Sequence, residues 1–225
     1  MSQALWTKID DYYTHLFVPP DPALDAALAA SDAAGLPQIA VAPNQGKLLM
    51  LIARIQGARR ILEVGTLGGY SSIWLARALK PGGRLITLEA NPKHAEVAGA
   101  NIAHAGFASV VEVRLGDARA GIQKLAAEGA APFDLIFIDA DKSGIPHYVE
   151  WSLKLSHRGT LIIIDNVIRG GALIDDKSED ANVKGVRGLH EMLATEPRLS
   201  ATTIQTVGSK GYDGFTLALV TMDVT

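Results

Sequence analysis

The sequence contains no cysteine. That excludes disulfides and thiolate-held metals, and it fits a reducing compartment. No apolar run approaches the ~20 residues of a membrane span. The opening residues, MSQALWTKIDDYY, lack the basic start and apolar stretch of a signal peptide. The expectation is a cytoplasmic protein with no membrane partner. Basic charge is not in excess either. With 21 Lys and Arg against 24 Asp and Glu, the net charge is −3, so no basic field marks nucleic acid as a partner. The phosphate fingerprints are missing too. No G-x-G-x-x-G occurs, and GKLL (46–49) keeps only the Gly-Lys pair of a phosphate loop. Val41 stands where that loop's first glycine belongs, and Leu48 where its hydroxyl belongs. The histidines offer no zinc site: HEMLA (190–194) lacks the second histidine of a zinc helix.

What is present is apolar material in an α/β pattern. Apolar residues make up 48% of the 225, enough for a full core. Residues 1–57 read as helices over roughly 3–17, 22–34 and 44–56, with Gly35 as a stop. Then the texture changes. RRILEV, GRLITLE, SVVEVRL, FDLIFID and GTLIIID are short β-rich runs, separated by helical segments over about 70–80, 92–105, 117–129 and 145–156. A helix over about 182–195 precedes strands at about 202–207 and 214–221, with GYDG as the turn between them. Alternation of this kind implies right-handed crossovers and a mostly parallel sheet covered by helices on both faces. The expected fold is a doubly wound α/β sheet of about seven strands. One domain is expected over 1–225, with a helical N-terminal addition (1–57) on an α/β core (58–225).

In such a sheet, ligands bind outside the carboxyl ends of the strands. The first strand ends in EVGTLGGYSS, carrying Glu63, Gly65 and Ser71. Glycines at that point let a ligand approach the backbone. The second ends at Glu89, where a carboxylate can accept from ribose hydroxyls. A tight turn and a helix cap are the structural alternatives for these two features. A nucleoside loop without a phosphate cradle favours S-adenosylmethionine as the cofactor. Asp117, in LGDAR, is suited either to an adenine amino group or to an N-cap. The fourth and fifth strands end in DLIFIDADKSG and TLIIIDNV. Asp139, Asp165 and Asn166 are hard oxygen donors suited to Mg²⁺. Separate loop caps are the alternative. Lys142 has an ion pair with Asp139 or Asp141 as its structural reading.

Together these motifs resemble the cation-dependent, S-adenosylmethionine-dependent O-methyltransferases, the group of catechol and caffeoyl-CoA O-methyltransferases. The resemblance runs from VAPNQGKLL (41–49) through LEVGTLGGYS, ITLEANP, GDA, FIDADKSGIPHY and GTLIIIDNVIRGG to DGFTLALV (213–220). It implies a class I methyltransferase fold, Rossmann-like, with the last strand antiparallel. It implies that Asp139, Asp165 and Asn166 bind Mg²⁺, or another divalent cation such as Mn²⁺ or Ca²⁺. Lys142 would be the general base. Val41, Glu63, Gly65, Ser71, Glu89, Asp117, Ala118 and Asp139 would surround the cofactor, and Asp141 would play a supporting part. A phenolic small molecule with vicinal hydroxyls is the implied acceptor, and a homodimer the implied assembly. Relatives acting on tRNA hydroxyls, with Arg54, Arg59 and Arg60 as a local patch, are one alternative. A nicotinamide oxidoreductase on a similar fold is another. The sequence departs from the family at Leu189 and His190, where an aromatic residue and Asn are common after an arginine such as Arg187. The acidic loop 168–182 leaves the acceptor least defined.

Overall fold

Proline and Asx residues start the helices where the sequence places them. In the computed structural model, which describes residues 2–130 and 132–223, α2 (Pro22–Ala33) opens on Asp21, whose carboxylate accepts from the Ala23 and Leu24 amides. Asn91 does the same for α5 (Pro92–His104) through the amides of Lys93 and His94. These caps satisfy amides that have no partner within the helix. α3 (Pro43–Gln56) starts on proline and stops at Gly57 in the left-handed conformation.

The strands are β1 (Arg60–Val64), β2 (Arg84–Glu89), β3 (Val111–Leu115), β4 (Phe133–Ile138), β5 (Ser156–Asp165), β6 (Leu199–Gly208) and β7 (Gly211–Val220). They form a seven-stranded sheet in the order β3-β2-β1-β4-β5-β7-β6. β7 runs antiparallel to both neighbours, and the other pairings are parallel. This is the expected doubly wound sheet. The remaining helices are α1 (Gln3–Phe17), α4 (Tyr70–Ala76), α6 (Ala118–Ala127), α7 (Ile145–Lys154) and α8 (Ala181–Thr195). Alternate strand residues serve opposite faces. Leu62, Ile136 and Ile162 meet α6, α7 and α8 on one face, while Ile61, Leu135 and Ile163 meet α2 to α5 on the other. With both faces covered, the central strands are largely apolar, Glu63 of β1 being a buried exception. α1 buries none of its residues. It lies along β6, where Gln3 donates to the Gly208 carbonyl at 2.8 Å and Asp10 accepts from the Ser209 amide at 2.7 Å.

Several boundaries differ from expectation, each for a local reason. The hairpin does not turn at GYDG. Gly211 pairs with Gly208 and Gly214 with Gln205, so the turn is Ser209–Lys210 and GYDG lies within β7. α4 stops at Ala76 rather than 80, because the bonds tighten to Ala78 N–Leu75 O and Leu79 N–Ala76 O ahead of Pro81. β5 begins at Ser156, three residues early, through a register irregularity against β4. Loop 168–182 contains a kinked 3₁₀ segment, Arg169–Ile174.

Candidate active site

The strand ends of β1 to β5 open on one cavity of about 560 Å³. Val41, Gly65, Ser71, Glu89, Asp117, Ala118, Asp139, Lys142 and Asn166 line it, so most of the residues singled out in the sequence come together. Gly65 is required by packing as well as by φ. Its φ is +97°, and a Cβ there would lie 2.1 Å from the Asp139 carbonyl oxygen. The first strand end is therefore locked against the fourth.

Glu63 does not line the cavity but lies beneath it, fully buried. It accepts from the Ser71 hydroxyl at 2.6 Å and from Ser72. Burial pushes its carboxyl up to about 7, against the opposing pull of the serine hydroxyls. Glu89 is not a helix cap, since Asn91 fills that place. Instead it accepts from the Thr66 and Leu67 amides at 3.2 and 2.9 Å and so shapes the glycine loop. Asp117 caps α6 through the Ala120 amide at 2.9 Å, as in its structural reading, and it also lines the cavity.

Lys142 sits in a 3₁₀ turn, Lys142–Gly144, and only 6% of it is exposed. Its ammonium donates to Asp139 at 2.9 Å, so the ion-pair reading holds while the residue also lines the cavity. Asp141 accepts from the Tyr148 hydroxyl at 2.5 Å and from Ser143 at 3.0 Å, contacts that brace the turn. The turn also depends on Gly185 of α8, where a Cβ would lie 2.2 Å from the Lys142 carbonyl oxygen.

Asp165 is 97% buried and lines a neighbouring cavity of about 260 Å³ rather than the one of about 560 Å³. Asn166 lines both, so the pair stands between them. Burial and the negative charge of Asp139 push the Asp165 carboxyl up to about 7. Asn166 has φ +55°, a left-handed conformation that Asn tolerates better than most residues. Its side-chain amide makes no hydrogen bond to any described residue. Two carboxylates that repel each other beside a free amide oxygen form a donor set that fits a hard divalent cation. Among the described residues no three His, Cys, Asp or Glu side chains gather as a metal site, so a cation here would need the Asn166 amide as its third donor.

Sequence reasoning missed three contributors. Gln45 of α3 donates to Asp165 at 2.5 Å. Asp213 of β7 accepts from the Ile168 and Arg169 amides at 2.9 and 3.1 Å. Arg169 itself lines the cavity of about 560 Å³. No local pattern marks the first two, because each partner is more than forty residues away. The motif-departing residues have packing roles here: Leu189 is buried against the sheet, and His190, its pKa lowered by burial, lies 3.4 Å from the Thr216 hydroxyl. Arg59 and Arg60 lie at the start of β1, at the opposite end of that strand from the cavity, and their guanidinium groups donate to the backbone carbonyls of Pro81 and Ala130.

Comparison with known proteins agrees with this geometry. A family model described as O-methyltransferase matches residues 23–220. The catechol O-methyltransferase of Mycobacterium tuberculosis is 53% identical over 212 residues, covering 94% of each chain. Among solved structures, an O-methyltransferase from Bacillus cereus in complex with SAH superposes with a TM-score of 0.96 at 53% identity, covering 97% of this chain and all of that one. TomG from Streptomyces achromogenes, an O-methyltransferase of tomaymycin synthesis solved with SAM, gives 0.95 at 53% identity, covering 98% of this chain and 99% of that one.

Proposed function

The chain belongs to the O-methyltransferase family and is an S-adenosylmethionine-dependent O-methyltransferase, and on that premise we propose that it methylates one hydroxyl of a catechol-like phenol with the help of Mg²⁺ or a similar divalent cation. The observation that carries this reading is the meeting of two acidic strand ends. β4 delivers Asp139 with Lys142, and β5 delivers Asp165 with Asn166, beside the cavity framed by the ends of β1 to β3.

The strand ends divide the work. Val41, Gly65, Ser71, Glu89, Asp117 and Ala118 hold the methyl donor, with Glu63 fixing the Ser71 hydroxyl from below. Asp139, Asp165 and Asn166 would hold the cation, which would supply positive charge that favours the ionised phenol and would orient neighbouring hydroxyls. Lys142, in its neutral form after its own proton has passed to solvent, takes the proton from the reacting hydroxyl. The phenol oxygen then attacks the donor methyl opposite the sulfur. The C–O bond forms as the C–S bond breaks, and the sulfonium leaves as a neutral thioether. Alignment of the two reactants is the protein's main contribution.

A labelled-methyl assay on catechol tests this. Turnover should vanish with excess chelator and return with Mg²⁺, and Asp165→Ala should lose far more activity than Asp180→Ala. Full activity in chelator, or equal losses in the two variants, would sink the proposed site. We further read residues 1–225 as one catalytic domain that pairs as a homodimer. The support for pairing is the exposed apolar side chains of α1 and its neighbours, among them Tyr12, Leu16 and Phe17 with Leu51, Ile55 and Val207. A monomer at micromolar concentration in sedimentation velocity would refute it. The cytoplasm, as the setting, is part of the same reading and rests on sequence alone.

A further inference from the structure

Lys142 and Arg169 both line the cavity of about 560 Å³, and their situations differ. Lys142 is paired with Asp139. Arg169 makes no side-chain hydrogen bond or ion pair to any described residue, and its Nε is buried without a partner. Other arginines of this chain are matched: Arg77 with Asp21, Arg114 with Glu112 and Glu128, Arg198 with Glu196. A guanidinium carries five donors and no acceptor, so a partly buried one without a partner is costly to keep.

The fold nevertheless holds Arg169 in place. Its φ is +56°, a left-handed conformation uncommon outside glycine. The Asp213 carboxylate ties down the amides of Ile168 and Arg169. At the far end of the same segment, Arg187 donates to the Leu173 carbonyl at 3.0 Å. A strained residue anchored at both ends of its segment, presenting an unmatched cation at a cavity, is arranged to meet an anion from outside the chain.

We propose that Arg169 selects the methyl acceptor: its guanidinium binds a carboxylate on the acceptor, so the preferred substrates are vicinal diols that carry an anionic group. This rests on the catechol-type reading above. The methyl donor also has a carboxylate, but the sheet order separates the two. Arg169 follows β5, while the donor's seat is built on β1, β2 and β3, with β4 in between. Only Val167 and Ile168 separate Arg169 from Asn166, which puts it on the cation side of the cavity.

The test compares 3,4-dihydroxybenzoate with its methyl ester in steady-state methyl transfer by the wild type, Arg169→Gln and Arg169→Lys, with donor affinity measured by calorimetry. Arg169→Gln should lower kcat/KM for the acid by about 10- to 100-fold, chiefly through KM, the scale of a lost charge-assisted hydrogen bond. The ester should change by less than about twofold, because it offers no anion to lose. Arg169→Lys should recover part of the acid's rate, and donor affinity should stay level in both variants. If acid and ester fall together, the residue only supports the loop and the assignment is overturned. If donor affinity falls while the acid-to-ester ratio holds, the guanidinium serves the donor and the assignment is again overturned. Failure of the wild type to methylate either compound would overturn the catechol-type reading itself, a result distinct from these two.

Discussion

Glu63→Gln separates the scaffold of the donor seat from its chemistry. Glu63 is fully buried, and burial lifts its carboxyl from an ordinary 4.5 to about 7. A raised carboxyl keeps its proton in the folded state over a range where the unfolded chain has already lost it. The folded state then binds more protons, so stability falls as pH climbs from about 4.5 to about 7 and levels off above that. At about 1.4 kcal/mol for each pH unit of difference, the loss is on the order of 3 kcal/mol. Glutamine has no such titration. Urea unfolding of wild type and variant at pH 5, 6, 7 and 8, followed by tryptophan fluorescence, measures the difference. The variant's stability should be flatter with pH, and the gap between the two proteins should move in the variant's favour by a few kcal/mol between pH 5 and 8. Asp165 is lifted for similar reasons and contributes a slope of the same sign, but that slope is common to both proteins and cancels in the comparison. Parallel curves for wild type and variant would show that Glu63 does not titrate in this range and would refute the reasoning.

Lys142→Met should lower kcat by about 100-fold or more while the donor's Kd, read by calorimetry, moves little, since the lost group handles a proton rather than the cofactor. Unchanged turnover would remove Lys142 as the base. Gln45→Leu should weaken Mg²⁺ or Mn²⁺ binding by about tenfold in calorimetry without the acceptor present, because it deletes the hydrogen bond that orients Asp165. Gly185→Ala should cost about 1–3 kcal/mol in urea unfolding. Its Cβ would meet backbone rather than a side chain that can swing away, so α8 must shift off the Lys142 turn. An unchanged midpoint would mean that this approach is looser than the structure shows.

The sequence was most legible where short-range geometry and function coincide. Glycine after β1, carboxylates after β2 and β4, and the Asp-Asn pair after β5 all fall at strand ends, and period and breakers place those ends to within a few residues. Misreadings came where a residue answers to something distant. GYDG has the composition of a turn, yet Gly214 is glycine because a Cβ would lie 2.3 Å from the Ile204 carbonyl oxygen across the hairpin. Its neighbour Asp213 is acidic because the amides of Ile168 and Arg169 need an acceptor. Both are strand residues whose reasons lie on another element, and turn statistics carry no trace of that. Gln45 escaped for the same reason: its partner Asp165 is 120 positions away.

On the proposed function, the donor and acceptor halves of the site differ in how freely they can change. The donor half rests on a close backbone approach, Gly65 against the Asp139 carbonyl, with the Glu89 carboxylate holding the Thr66 and Leu67 amides beside it. Almost any side chain introduced at Gly65 pushes strands apart, so this half tolerates little variation. The acceptor half is fixed by single side chains reaching across the fold: Asp213 to Arg169, Arg187 to Leu173, Gln45 to Asp165. Each of these contacts can be replaced without moving a strand, since none lies inside the sheet's own hydrogen-bond ladder. Substitution in 168–182 should therefore redirect which phenol is methylated while donor binding persists. A loop built from such independent contacts is where a methyl-transfer scaffold has room to specialise.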